Sequence, residues 1–408
     1  MRSHQLVMLS LGACLIAPSH GSEPVRPGIT VLLADSTRLV AGKRVGLLSN
    51  QTGVDGAGQR DVDLLRSSSI HLVQLFSPEH GFGGTLDRPV TNSIDSGSGL
   101  PIYSLYAGPH TPAPPLHGLD AVLIDLQDIG ARYYTYAASA VILMQQAARV
   151  GIPVVVLDRP DPIGGVLVQG NVRASPAPAT TLISFLPVPM RPGMTLGELL
   201  RFANDTLRIH ARLTVVPMTG WHRDMYFDET GLPWVNPSPA MPNLESAIHY
   251  PGTCLFEGTN LSVGRGTALP FQIVGAPWLR ADAILDRFRE AGDRRSDVFR
   301  GVELSADTVT PVSPSDKKYG GVRINVIRLR VTDRGTYDPT RTALALLVAI
   351  RASAPDSFAF SAQHFDLLAG GPELRQALAQ GRTGAAIWHD WEAPLAKFRK
   401  VRQRYLLY

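Results

Sequence analysis

Four short apolar runs constrain this chain most: Arg44–Ser49, Leu72–Phe76, Leu119–Leu126 and Pro153–Leu157. Each is continuous rather than alternating, and helix-length connections separate them, as at Asp61–Arg66 and Tyr133–Val150. Strands that read as unbroken apolar runs are buried on both faces, the pattern of a parallel sheet with helices on either side. A fifth run, Leu213–Pro217, follows a segment at Thr195–Leu207 with helical spacing. There Thr195 and Glu198 predict a capping box. Each of the four runs also stops in polar residues: Asn50 and Gln51; Glu79 and His80; Asp125, Gln127, Asp128 and Arg132; Asp158, Arg159 and Asp161. Ligands of open α/β sheets bind outside the carboxyl ends of the strands, so this edge is where a site is expected. The segment LVQLFSPEHGFGG, Leu72 to Gly84, is its centre, with an acid and a base directly after the strand.

Composition narrows the function classes. At 408 residues the chain has length for more than one domain, and 44% hydrophobic with 18% charged residues is an ordinary globular balance. A net charge of +4 suits an anionic small molecule and is too small and dispersed for nucleic acid. No dinucleotide, P-loop, HExxH or nucleophile-elbow motif occurs, and no metal-spaced Cys/His cluster, so neither a cofactor nor a metal is implied. Residues 1–22 read as an export signal, with Arg2 ahead of the apolar run Leu6–Ile16. Leu11–Cys14 also has the form of a lipoprotein box. The expected location is therefore periplasmic or secreted, with Cys14 as the only possible membrane tether. Removal or lipidation of Cys14 leaves Cys254 alone, which excludes a disulfide framework.

The remaining chain divides near Thr267 to Pro277. Residues 23–270 read as a Rossmann-like, mostly parallel sheet domain, and 271–408 as a smaller α+β domain. In the latter Val322–Leu329 alternates as an antiparallel strand, while Arg341–Ala352 and Pro372–Gln380 read as helices. The terminal FRKVRQRYLLY reads as a basic helix with Phe398, Val401 and Tyr405 on one face and its charges in solvent. Asp87–Gly99 lacks periodicity and reads as a long loop of the kind that forms lids. Trp221–Thr267 reads as Pro-fixed and aromatic loops. In it Trp234–Pro242 suggests walls for a sugar, and Glu257 and Arg265 sit among glycines.

These stretches resemble the NamZ-type exo-β-N-acetylmuramidases. The resemblance is carried in order by SPEHGFGG, DLQDIGARYYTY, LDRPDPIGG, PMRPGMTLGELL, TGLPWVNPSPAMPNLESAIHYPGTCLFEGTN, VGRGT and the terminal RYLLY. It implies a Rossmann-like domain joined to an auxiliary domain, with a cleft between them that releases non-reducing terminal N-acetylmuramic acid from peptidoglycan fragments. On that resemblance Glu79 is the proton donor, with His80 beside it. Asp125 or Asp128 is the second carboxylate, acting as base, nucleophile or partner of the substrate acetamido group, with Glu257 in reserve. Arg132, Arg159 and Arg265 suit the lactyl carboxylate. Asn50, Gln51, Gln127, Asp158, Trp234 and Asn260 complete the substrate-binding set. Two departures stand out: Gln169 where an acid is expected, and Leu269 and Gln272 where charges are expected. A non-catalytic envelope protein that binds muropeptides, and a hydrolase for another acidic ester or glycoside, are the alternatives.

Overall fold

The computed structural model describes residues 24–408 apart from 109–110, 179–180 and 291–296, so the segment 1–22 read as an export signal, with Cys14, lies outside the described residues. The first half runs α1 Gly28–Asp35, β1 Val45–Leu48, α2 Asp61–Ser67, β2 Leu72–Ser77, β3 Ser93–Ile94, β4 Pro101–Ser104, β5 Ala121–Ile124 and α3 Thr135–Arg149. After these come β6 Val154–Leu157, β7 Gln169–Val172, β8 Pro189–Arg191, α4 Leu196–Thr206, β9 Leu213–Val216 and α5 Leu244–Thr253. Seven strands form one sheet in the order β3-β4-β2-β1-β5-β6-β9, parallel except for the short edge strand β3. Side chains alternate between its faces. Leu48, Val122, Ile124, Val154 and Val156 point to the face covered by α3 and α4. Leu47, Leu123, Val155 and Leu157 point to the face covered by α1 and α2. Burial on both sides is why these strands carry no polar alternation. The Thr195–Glu198 capping box starts α4 as the residue pattern predicts.

The second half adds β10 Ile273–Ala276, α6 Ala281–Glu290, β11 Val302–Val309, β12 Ile324–Val331, α7 Pro339–Ser353, α8 Ala362–Ala369, α9 Glu373–Ala379 and α10 Gly384–Arg402. Its antiparallel sheet has the order β10-β12-β11. Helix α5 packs on α7, and the turn Cys254–Gly258 packs on α8. One continuous hydrophobic core, running from Leu48 through α3 and α5 to Tyr405, joins this half to the α3 face of the large sheet. The α5 segment reads as a loop in the sequence because Pro251 lies inside it; Asn243, whose side chain accepts from Ser246 N, caps it as a helix nonetheless. The C-terminal charges also differ from a solvated face. Arg399 donates to the Val168 carbonyl, and Arg402 to the carbonyls of Gly165, Pro192 and Gly193.

Much of the carboxyl edge of the large sheet is closed by its own polar residues. Arg159, at the end of β6, is ion-paired with Asp125 at the end of β5 and stands 3.7 Å from Asp61 at the start of α2, all three buried. Burial, and then the Asp125 charge, push the Asp61 carboxyl well above the ordinary range even beside Arg159. Asp158 accepts from Thr195 Oγ1 at 2.7 Å, Gly197 N at 2.8 Å and the Tyr408 hydroxyl at 2.9 Å, which pins the last residue of the chain under this edge. Two outcomes are expected in chemical denaturation. Arg159→Met strands a buried carboxylate and lowers stability by about 3–5 kcal/mol; a loss below about 1 kcal/mol would show that the pairing is dispensable. Tyr408→Phe removes the hydroxyl's bond to buried Asp158 and the acceptor of the Met218 N–H, and lowers stability by about 1–3 kcal/mol; no change would detach Tyr408 from the sheet edge.

Candidate active site

Among the described residues, the edge opens into a large cleft toward β2 and β4. It measures about 890 Å³ and lies between the loop after β2, the start of α3, the end of α5 and two segments of the C-terminal half. Pro78 ends β2 and turns the chain so that Glu79 faces the cleft. The Glu79 carboxylate accepts a 2.5 Å hydrogen bond from Thr135 Oγ1, in the first turn of α3, and the Tyr106 hydroxyl lies against the same carboxylate. Tyr106 stands two residues past β4. Burial, then the Glu79 charge, push its hydroxyl well above the ordinary tyrosine range, which keeps it a neutral donor.

His80 follows in a left-handed conformation, φ 70°, and that turn swings its ring back over the loop. Its Nδ1 is 3.0 Å from Asp87 Oδ1 and 3.0 Å from the Leu86 carbonyl. Burial works against the charged ring, but the Asp87 hydrogen bond and the Glu79 charge outweigh it, so His80 titrates above its ordinary 6.5. Asp87 also reaches Ser315 from the C-terminal half. Gly84 lies in this loop at φ 69°, a left-handed conformation that favours glycine, with the Gln51 carboxamide packed close over it.

The opposing wall carries Glu257, in the turn after α5. Arg265 Nε donates to Glu257 Oε1 at 2.7 Å, and the guanidinium lies 5.3 Å from the Phe271 ring. Burial alone would raise the Glu257 carboxyl; Arg265 and then Lys318 outweigh it and hold it below its ordinary value, as an anion. The Cys254 thiol, buried beside it, donates to Glu257 Oε2 at 3.4 Å. Asp316 and His364 complete this polar wall, and Tyr133, Tyr134 and Tyr250 supply aromatic surface.

Of the catalytic and binding candidates read from the sequence, the cleft thus gathers Glu79, His80, Glu257 and Arg265. The others lie outside it, and each has a structural occupation. Asp125 and Arg159 neutralise each other in the closed edge. Asp128 is buried, accepts from Gly130 N at 2.8 Å, and is pushed up to about 6 by burial. Arg132 donates to the carbonyls of Asn171, Val188 and Leu368, bridging the two halves of the chain. Asp158 holds α4 and Tyr408. Asn50 accepts from Thr52 N and Oγ1, Gln51 donates to the Asn236 carbonyl, and Gln127 donates to the Pro160 carbonyl. Trp234 packs edge-on against Phe227 at 5.1 Å. Asn260 ties down the Ser357–Ala359 segment. Gln169 is buried between Arg191 and the Tyr337 carbonyl, and Gln272 bonds Ser246, so these departures also sit away from the cleft. The sequence reading passed over Thr135 and Tyr106. An end-of-strand rule applied to β4 would have found Tyr106.

Residues 45–245 match the family model described as exo-beta-N-acetylmuramidase NamZ, N-terminal, and residues 248–408 match that for NamZ, C-terminal. The two matches meet within α5. The chain is 38% identical over 389 residues to the peptidoglycan beta-N-acetylmuramidase NamZ of Bacillus subtilis (strain 168), covering 94% of this chain and 91% of that protein. Crystal structures of two DUF1343 family proteins from Bacteroides fragilis have similar folds. One has a TM-score of 0.83 at 30% identity, covering 94% of this chain and 99% of its own. The other has a TM-score of 0.73 at 28% identity, covering 95% and 99%. This chain belongs to the NamZ exo-β-N-acetylmuramidase family.

Proposed function

We propose that this chain is an exo-acting glycosidase that releases N-acetylmuramic acid from the non-reducing end of peptidoglycan fragments, with Glu79 as the proton donor. The observation that carries the reading is the Glu79 carboxylate fixed in the cleft by Thr135 at 2.5 Å, in a chain of this family. Glycoside cleavage needs a proton for the leaving oxygen and a second group to support the oxocarbenium-like centre. Glu257 takes the second role in place of Asp125 and Asp128, because it lines the cleft and Arg265 keeps it ionised. It serves as base for water or as the partner that orients the 2-acetamido group. Arg265 spends its Nε on Glu257 and carries further N–H groups, which suit the lactyl carboxylate. The tyrosines offer flat surface for the pyranose ring. An exported location, in the periplasm or outside the cell, fits a substrate of this kind.

Glu79→Gln removes the transferable proton and keeps the shape. Hydrolysis of a chromogenic muramic acid glycoside is expected to fall by at least about 100-fold with the unfolding midpoint unchanged; turnover near wild type would take Glu79 out of the mechanism. A pH profile tests the neighbouring pair. His80 is raised above 6.5 by a partner gained on folding, so its contribution is present below about 6.5 and fades as pH rises through the raised value. Asp87→Asn withdraws the largest raising influence and is expected to move the alkaline fall of kcat/KM to lower pH. An alkaline limb left in place would separate His80 from the activity.

A further inference from the structure

The cleft wall that carries Glu257 is held from behind by residues 311–321, the connection between β11 and β12. Val312 N donates to the Gly266 carbonyl at 2.8 Å, which fastens this connection to the turn bearing Arg265. Gly321 N donates to the Pro311 carbonyl at 2.8 Å and closes the connection on itself. Lys317 and Tyr319 both have left-handed backbones, φ 59° and 56°, a conformation uncommon for residues other than glycine. Such residues persist where the surroundings hold them. Lys317 is exposed, whereas Lys318 between the two reaches inward. Its Nζ donates to the carbonyls of Glu257 and Leu261, each at 3.0 Å. The Tyr319 hydroxyl donates to the Asn260 carbonyl at 2.6 Å. Two consecutive side chains thus hold three carbonyls of the stretch that begins at Glu257.

We propose that Lys318 is a positioning residue of this site: it fixes the turn that carries Glu257 and sets a second positive charge behind the carboxylate that Arg265 pairs from the front. The proposal rests on the reading of Glu257 as the second carboxylate. Lys318 does not line the cleft, so it acts through Glu257 and not on the substrate. Arg265 is shared, because a substrate carboxylate that binds the guanidinium draws on the charge that also serves Glu257. Lys318 stands where no substrate group can compete for it. Tyr250, Cys254, His364 and Asp316 are the other titratable groups around this pair. Burial raises Tyr250 and Cys254 and lowers His364, which favours the neutral form of all three. Arg265 and Lys318 are therefore the cations that keep Glu257 an anion.

The test reads the pH profile for hydrolysis of a chromogenic muramic acid glycoside by Lys318→Met and Lys318→Arg. Losing the cation raises the Glu257 carboxyl, so its ionised form is reached only at higher pH. For Lys318→Met the acid limb of kcat/KM is expected to move up by at least about half a pH unit. Its kcat is expected to fall by at least about tenfold with KM changed less than about threefold. Lys318→Arg keeps the charge and is expected to leave the limb near its wild-type position. Should Lys318→Met fail to fold, Lys318→Gln, which keeps a donor for a carbonyl and loses the charge, is read in the same way. An acid limb that stays in place in the neutral variant, or that arginine moves as far, would overturn the proposal. Glu257→Gln tells the two readings apart. Turnover near wild type in that variant would remove the second carboxylate and this proposal with it. An inactive Glu257→Gln beside a wild-type profile for Lys318→Met would remove the proposal alone.

Discussion

The buried pairing of Arg159 with Asp125, with Asp61 close by, is the interaction on which the rest of this structure depends. Three ionisable groups meet where β1, β5 and β6 end, at the point where an open α/β sheet ordinarily receives its ligand. Taking charges out of water there is tolerable only because they face each other. Once they do, that part of the edge is filled, and the loop carrying Phe227 and Trp234 packs over it. The opening is displaced to the β2–β4 side, where the strand ends meet α3 and the C-terminal half. Glu79 faces a cleft because its neighbours along the edge have been used to seal it.

The two halves are joined by a shared apolar core and by arginines that donate to distant backbone carbonyls. Arg132 ties the start of α3 to the Leu368 carbonyl at the end of α8, and Arg402 ties α10 to Gly165 and Gly193. Arg223 holds the buried Glu198, whose Oε1 also accepts from Leu407 N. A planar guanidinium carries five N–H donors in a fixed fork, so one arginine can satisfy several carbonyls at once. The cleft walls are therefore set by long-range bonds rather than by local turns, and Glu257 and Arg265 are held in register with Glu79 across more than a hundred residues of sequence.

The strands β1, β2, β5 and β6 were legible because double-sided burial writes itself as unbroken apolar runs, and α4 because its capping box is local. Glu79 and His80 were legible because Pro78 ends a strand just before them. The pairing of Asp125 with Arg159 was not. A sequence displays which chemistry arrives at an edge, but two opposite charges on adjacent strand ends look the same whether they bind a ligand or each other. β4 was obscured by Pro101 and the polar loop before it, and Tyr106 was lost with it. The helix α5 was hidden by Pro251, and its packing on α7 is a long-range fact that no local pattern carries. Arg399 and Arg402 read as solvated because their acceptors are carbonyls some 210 to 240 positions away.

A crystal structure of the Glu79→Gln protein soaked with N-acetylmuramic acid distinguishes a site at the β2–β4 end of the sheet from one at the β1–β5 crossing. With the site at the β2–β4 end, the sugar sits between residue 79 and Arg265, its lactyl carboxylate on the guanidinium. Sugar bound instead against Gln127, Asp158 and Trp234, with the cleft left empty, would overturn that assignment.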